Sequence, residues 1–201
     1  MKITKIFTTE TSHRARNAIS TKCSNIHGHT YKIELTLEGS PVNPSGMVLD
    51  FSYLKEYIKP YIDMFDHCHL FSTLEDSAYK EAIEATTDRW ISAPFNWSCE
   101  MMSMVIFEAC DRILNNLCFE DGERPELVEV TVWETATGRC TCTSKDVNEY
   151  FSKYFKFQDI SYSKELMEEL PSDVVSALFT NCIIRVDASP KQIPSAFNTK
   201  S

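Results

Sequence analysis

The stretch Tyr31-Lys32-Ile33-Glu34-Leu35-Thr36-Leu37 alternates apolar and polar side chains without a break. A period of two is the signature of a β-strand that buries one face and wets the other. Tyr31, Ile33, Leu35 and Leu37 then point into a core, and Lys32, Glu34, Thr36 and Glu38 point out of it. The fold must therefore contain a sheet whose apolar face is covered by other elements. Residues 2 to 9, rich in Ile, Phe and Thr, predict a first strand, and His13 falls at the end of that region. Residues 127 to 133 alternate again, the segment TATG turns the chain, and residues 139 to 143 return as a hairpin partner.

Helical patterns fill the space between these strands. The Gly-, Pro-, Asn- and Ser-rich segment 39–46 reads as a loop. Asp50 is placed to cap a helix bearing Phe51, Leu54, Ile58, Tyr61, Ile62 and Phe65, with Pro60 kinking or breaking it. Residues 72 to 93 are charged and weakly periodic, a surface insertion that is helical in part. A long apolar helix is expected from Trp97 to Leu117. The order strand, strand, helix, helix, strand, strand predicts an α+β fold with an antiparallel sheet, and an uncovered sheet edge favours self-association. Residues 1–144 form the core unit in this reading. Residues 145–201 form a C-terminal extension, with short helices around Pro171, a loose end, and no recognisable chemistry of its own.

Composition narrows the function. A formal net charge of -9 argues against wrapping nucleic acid, which needs a basic footprint. No apolar run approaches the roughly 20 residues of a membrane span. The N-terminus enters a strand pattern directly, without an apolar signal core, so a cytoplasmic protein is expected and the eight cysteines predict no disulfide framework.

The chemistry concentrates at Cys23, His27 and His29. In a strand, residues i and i+2 share a face, so His27 and His29 present two imidazoles side by side. His13 can add a third if the first two strands pair. Three imidazoles with an open position suit a catalytic zinc ion. Two other readings stand beside this one: a plain surface pair of histidines, or a structural zinc with Cys23 as a ligand. If Cys23 is not a ligand, it is a thiol near a cation, where the thiolate is favoured and can act as a base. Adjacent Asp66 and His67 can form a carboxylate–imidazole pair; His69 reads as a bystander. Glu134 follows an alternating strand. It is either a solvated strand-end carboxylate or one able to accept two parallel N–H bonds from an aminopyrimidine ring. Glu100 opens the long helix, where a negative charge is favourable.

Taken in order, His13, then C23-x-x-x-H27-G-H29-x-Y31, G46-M-V-x-D50-F51, D66-H67 and E134-T135, over about residues 1 to 144, this chain resembles the 6-pyruvoyl-tetrahydropterin synthase and 6-carboxy-tetrahydropterin synthase (QueD) family. The resemblance implies a tunnelling fold (T-fold): an antiparallel four-stranded sheet with two helices on one face, subunits joining into a barrel, and active sites at subunit boundaries. It implies zinc on His13, His27 and His29, proton transfer by Cys23, Asp66 and His67, and a pterin ring anchored by Glu134. The family's Pro-Thr-x-Glu-Asn is replaced by Trp97-Ser98-Cys99-Glu100-Met101, so Ser98 stands for the threonine hydroxyl and Glu100 keeps the acid. The implied substrate is 7,8-dihydroneopterin triphosphate. The spacing of three residues between Cys23 and His27 resembles the carboxy branch, whose product feeds 7-deazaguanine and queuosine synthesis. The alternatives are the pyruvoyl synthase, or an inactive pterin- or purine-binding T-fold protein.

Overall fold

A computed structural model describes residues 1–40, 46–118 and 124–186. Parts of the 39–46 loop, the end of the segment after the long helix and the C-terminal end lie outside the described residues. The two longest strands, β1 (Lys2–His13) and β2 (His27–Glu38), pair antiparallel along their whole lengths. The short helix α1 (Thr21–Ser24) lies in the connection between them. The alternation in β2 has the consequence expected of it: Tyr31, Ile33, Leu35 and Leu37 are all buried.

Asp50 caps the following helix, its side chain accepting from the Ser52 N–H at 2.8 Å. The helix runs from α2 (Phe51–Tyr53) through a π-helical turn at Leu54–Ile58 into α3 (Lys59–Asp63). Pro60 follows the π-helical turn, and the helix continues through it rather than breaking there. The wide turn lets Leu54, Tyr57, Ile58, Tyr61 and Ile62 all reach the core. Strand β3 (Cys68–Ser72), helix α4 (Ser77–Thr86) and strand β4 (Trp90–Ala93) come next. Helix α4 has no buried residue, as a surface insertion should. The end of that segment differs from expectation, because β4 enters the sheet with Ile91, Ser92 and Ala93 buried.

Ser98 is the N-cap of α5 (Cys99–Asn116), which is followed by β5 (Leu117–Cys118), β6 (Glu126–Trp133) and β7 (Arg139–Cys142). The sheet order is β7-β6-β2-β1-β3-β4-β8, with β8 at Ser161–Tyr162. The expected antiparallel four-stranded unit is its β7-β6-β2-β1 half. Among the described residues the full sheet has seven strands and is mixed, since β1/β3 and β3/β4 pair parallel. Parallel strands are buried on both faces, and all five residues of β3 are buried.

The extension supplies α6 (Ser144–Asp146), a π-helical turn at Val147–Phe151, β8, α7 (Lys164–Glu169), α8 (Ser172–Thr180) and β9 (Ile184–Arg185). Strand β8 covers the β4 edge, and α8 packs on α5. Phe151, Phe157, Leu166, Val174 and Leu178 share one hydrophobic cluster with the sheet and α5.

Candidate active site

The β1–β2 register sets His13 opposite His27 and Thr11 opposite His29. All three imidazoles therefore leave the sheet on the side the helices cover, at the end of the strand pair. Ring centroids lie 4.5 Å apart for His13 and His27, 5.3 Å for His13 and His29, and 4.9 Å for His27 and His29. Their ligand nitrogens lie within 4.8 Å of one another.

Main-chain carbonyls fix the ring tautomers. His13 Nδ1 is 2.6 Å from the Trp97 carbonyl oxygen, and His27 Nδ1 is 2.8 Å from that of Asn25. A carbonyl can only accept, so each Nδ1 carries the hydrogen and each neutral ring turns an Nε2 lone pair inward. The Nε2 atoms of His13 and His27 are 3.1 Å apart. Two lone pairs at that separation repel unless a cation or a proton lies between them. Burial pushes the pKa of His13 and of His29 below the usual histidine value, which disfavours the proton. His29 Nε2 is buried and has no hydrogen-bond partner among the described residues. The donor set thus fits a divalent metal that takes neutral imidazole nitrogen at about 2.0–2.1 Å.

Glu134 closes this cluster from β6. Its Oε1 lies 3.8 Å from His13 Nε2 and 3.9 Å from His29 Nε2. The buried Tyr31 hydroxyl donates to the same oxygen at 3.4 Å. Of the residues expected at the site, His13, His27, His29 and Glu134 therefore converge. Cys23 stands exposed on α1, and its carbonyl accepts from the Ala15 N–H at 2.8 Å. Ser98 spends its hydroxyl as the helix cap, accepting from the Met101 N–H at 3.4 Å. Glu100 is exposed in the first turn of α5.

Asp66 and His67 do form the expected pair, His67 Nδ1 donating to Asp66 Oδ2 at 2.9 Å. The other carboxylate oxygen of Asp66 accepts from the Glu10 N–H at 2.8 Å, and His67 holds a left-handed backbone with φ 52°. His67 lines an open cleft of about 430 Å³ with Glu10, Ser12, Gly28 and Thr30, which alternate away from the buried side of β1 and β2, and with His29, Thr11 and Cys68. Among the described residues no hydrogen bond or ion pair joins Cys23, Asp66 or His67 to the three imidazoles.

Some features of the site lie beyond what the sequence reading assigned. The Trp97 and Asn25 carbonyls leave no side-chain signal. The Tyr31 hydroxyl could have been found, because Tyr31 lies two residues after His29 on the same face. His69, read as a bystander, is buried, with Nδ1 2.8 Å from Ser12 Oγ and Nε2 2.8 Å from the Tyr79 hydroxyl. Arg14 is bound to the buried Glu75 by two hydrogen bonds of 2.9 and 2.7 Å.

Known proteins share both the sequence and the fold. The family model described as 6-pyruvoyl tetrahydropterin synthase matches residues 2–145. A Helicobacter pylori protein named 6-carboxy-5,6,7,8-tetrahydropterin synthase is 30% identical over 167 residues, covering 82% of this chain and 84% of that one. One of the same name from Haemophilus influenzae is 28% identical over 145 residues, 69% of this chain and 96% of the relative. Among solved structures, the Caenorhabditis elegans 6-pyruvoyl tetrahydropterin synthase superposes with a TM-score of 0.50 at 21% identity, covering 72% of this chain and 95% of that one. The Plasmodium vivax enzyme of that name gives 0.52 at 19% identity, over 71% and 97%. These likenesses show the tunnelling fold, and the sequence match over most of the chain settles kinship: the protein with this three-imidazole centre belongs to the 6-pyruvoyl tetrahydropterin synthase family.

Proposed function

We propose that this chain is a lyase that converts 7,8-dihydroneopterin triphosphate, with water, to 6-carboxy-5,6,7,8-tetrahydropterin, releasing acetaldehyde and triphosphate. The observation that carries the reading is the pair of inward Nε2 lone pairs on His13 and His27 beside a His29 Nε2 that is buried without a hydrogen-bond partner among the described residues. The carboxy branch is favoured by the names of the Helicobacter and Haemophilus relatives.

His13, His27 and His29 would hold the zinc ion, whose chemistry when bound is to polarise the side-chain hydroxyls of the substrate and ease loss of a proton from the adjacent carbon. Glu134 is positioned to accept two N–H bonds from the pterin ring, its Oε1 within 4 Å of two of the imidazoles. Ser98 and Glu100 border the same end of α5. Cys23 takes or gives a proton at its sulfur. His67 does so at Nε2, because Asp66 accepts from Nδ1 and fixes the ring orientation.

The imidazoles leave the sheet on its buried side, whereas Glu10, Ser12, Gly28 and Thr30 of the His67 cleft alternate to the other side, with His29 lining the cleft as well. A substrate held on the imidazoles and reached by a His67 from the other side calls for the Asp66–His67 pair of another copy, hence a homo-oligomer with sites at subunit boundaries. A backbone edge is available for such assembly, since among the described residues β1 pairs with β3 only at Thr11–His13. The direct test is incubation of the zinc-loaded protein with 7,8-dihydroneopterin triphosphate and mass analysis of the product. A carboxy product supports the reading; a pyruvoyl product moves the chain to the sister branch, and unchanged substrate refutes it.

A further inference from the structure

Tyr31 is 1% exposed, and its hydroxyl is the sole polar group of that side chain. A buried hydroxyl needs a partner. Two acceptors lie in reach, Glu134 Oε1 at 3.4 Å and His13 Nε2 at 3.5 Å. They are not equivalent. His13 Nδ1 carries its hydrogen toward the Trp97 carbonyl, so Nε2 is the metal-binding nitrogen. A nitrogen bound to a metal has no lone pair left to accept a hydrogen bond. With the centre filled, the Tyr31 proton is left with Glu134 alone.

We infer that Tyr31 is a positioning residue for Glu134: its hydroxyl holds the carboxylate beside the imidazole centre and aims it at the ring of a bound pterin. The inference rests on the reading of Glu134 as the pterin anchor. Helix-side packing alone would not require a hydroxyl here, because phenylalanine fills nearly the same volume. Neighbouring Ile33, Leu35 and Leu37 on the same face carry no polar atom.

Tyr31→Phe tests this without emptying the core. Pterin-6-carboxylate serves as the probe, titrated by calorimetry into the zinc-loaded oligomer, with zinc content and thermal midpoint measured alongside. A hydrogen bond to a charged group is worth roughly tenfold in affinity. Tyr31→Phe should weaken the probe by about that factor and raise KM with little change in kcat, while zinc content holds and the thermal midpoint falls by no more than a few degrees. In a Glu134→Ala background the same substitution should have no further effect. An unchanged affinity in Tyr31→Phe, with Glu134→Ala weakened, overturns the inference and leaves the anchor standing. An equal loss in both backgrounds also overturns it, since Tyr31 would then act independently of Glu134. An unchanged affinity in Glu134→Ala removes the anchor reading itself.

Discussion

Lowering the pH should destabilise the metal-free protein in a way that His69 accounts for. His69 is 6% exposed and bonded at both ring nitrogens, and burial, followed by the nearby His13 and Arg14 charges, pushes its pKa down to about 4. In the unfolded chain the same ring titrates at about 6.5. The unfolded state therefore takes up a proton that the native state refuses. The contribution is complete above pH 6.5 and is lost as the pH falls through the window down to about 4. One pKa unit corresponds to about 1.4 kcal/mol, so the full loss is about 3 kcal/mol, and about 2 kcal/mol is already gone at pH 5. Urea unfolding in a chelator, at steps from pH 7.5 to 4.5, measures this for the parent and for His69→Gln. His13 and His29 titrate in both proteins, so the difference between the two curves reports His69 together with its coupling to His13. The parent should lose about 2 kcal/mol more than His69→Gln between pH 7 and 5. Parallel curves would refute the reasoning, because His69 would then be protonated in the native state as easily as in the unfolded one.

Zinc should raise the melting temperature. At 100 times its dissociation constant a ligand adds about 2.7 kcal/mol, roughly 5–10 °C for a chain of this size; scanning fluorimetry should show the shift in the parent and not in His29→Ala. Cys23→Ala should keep zinc and assembly while turnover falls by about two to four orders of magnitude, the range for a lost general acid or base; loss of zinc by elemental analysis would instead make Cys23 a ligand. Phe151 is 1% exposed in the same cluster as the sheet. Phe151→Ala should cost about 3–5 kcal/mol in urea unfolding, and a cost near zero would mean that the C-terminal extension is not part of the core.

The legible parts of this chain were those where one physical period dominated. The alternation from Tyr31 to Leu37 fixed β2, its buried face and the shared side of His27 and His29. The β1 pairing then brought His13 across from His27. Asp50 and Ser98 behaved as caps because their side chains can satisfy exposed N–H groups. The misses have physical causes as well. Residues of β3 are buried on both faces and show no alternation, so a parallel strand carries no pattern to distinguish it from the end of a helix. The two-residue β8 is too short for any period, and it exists because β4 offers an edge. The groups that set the imidazole tautomers are main-chain carbonyls of Trp97 and Asn25, which every residue has. Nothing in the sequence around His69 signals Ser12 and Tyr79, which reach it only through tertiary contact.

Zinc-edge X-ray absorption on the purified, zinc-loaded oligomer tests the central claim most directly. The account predicts about one zinc per chain, with three imidazole nitrogens and a light atom at about 2.0–2.1 Å, and loss of the metal when His13, His27 and His29 are replaced together. A sulfur scatterer at about 2.3 Å, or retention of the metal in that triple variant, would contradict it.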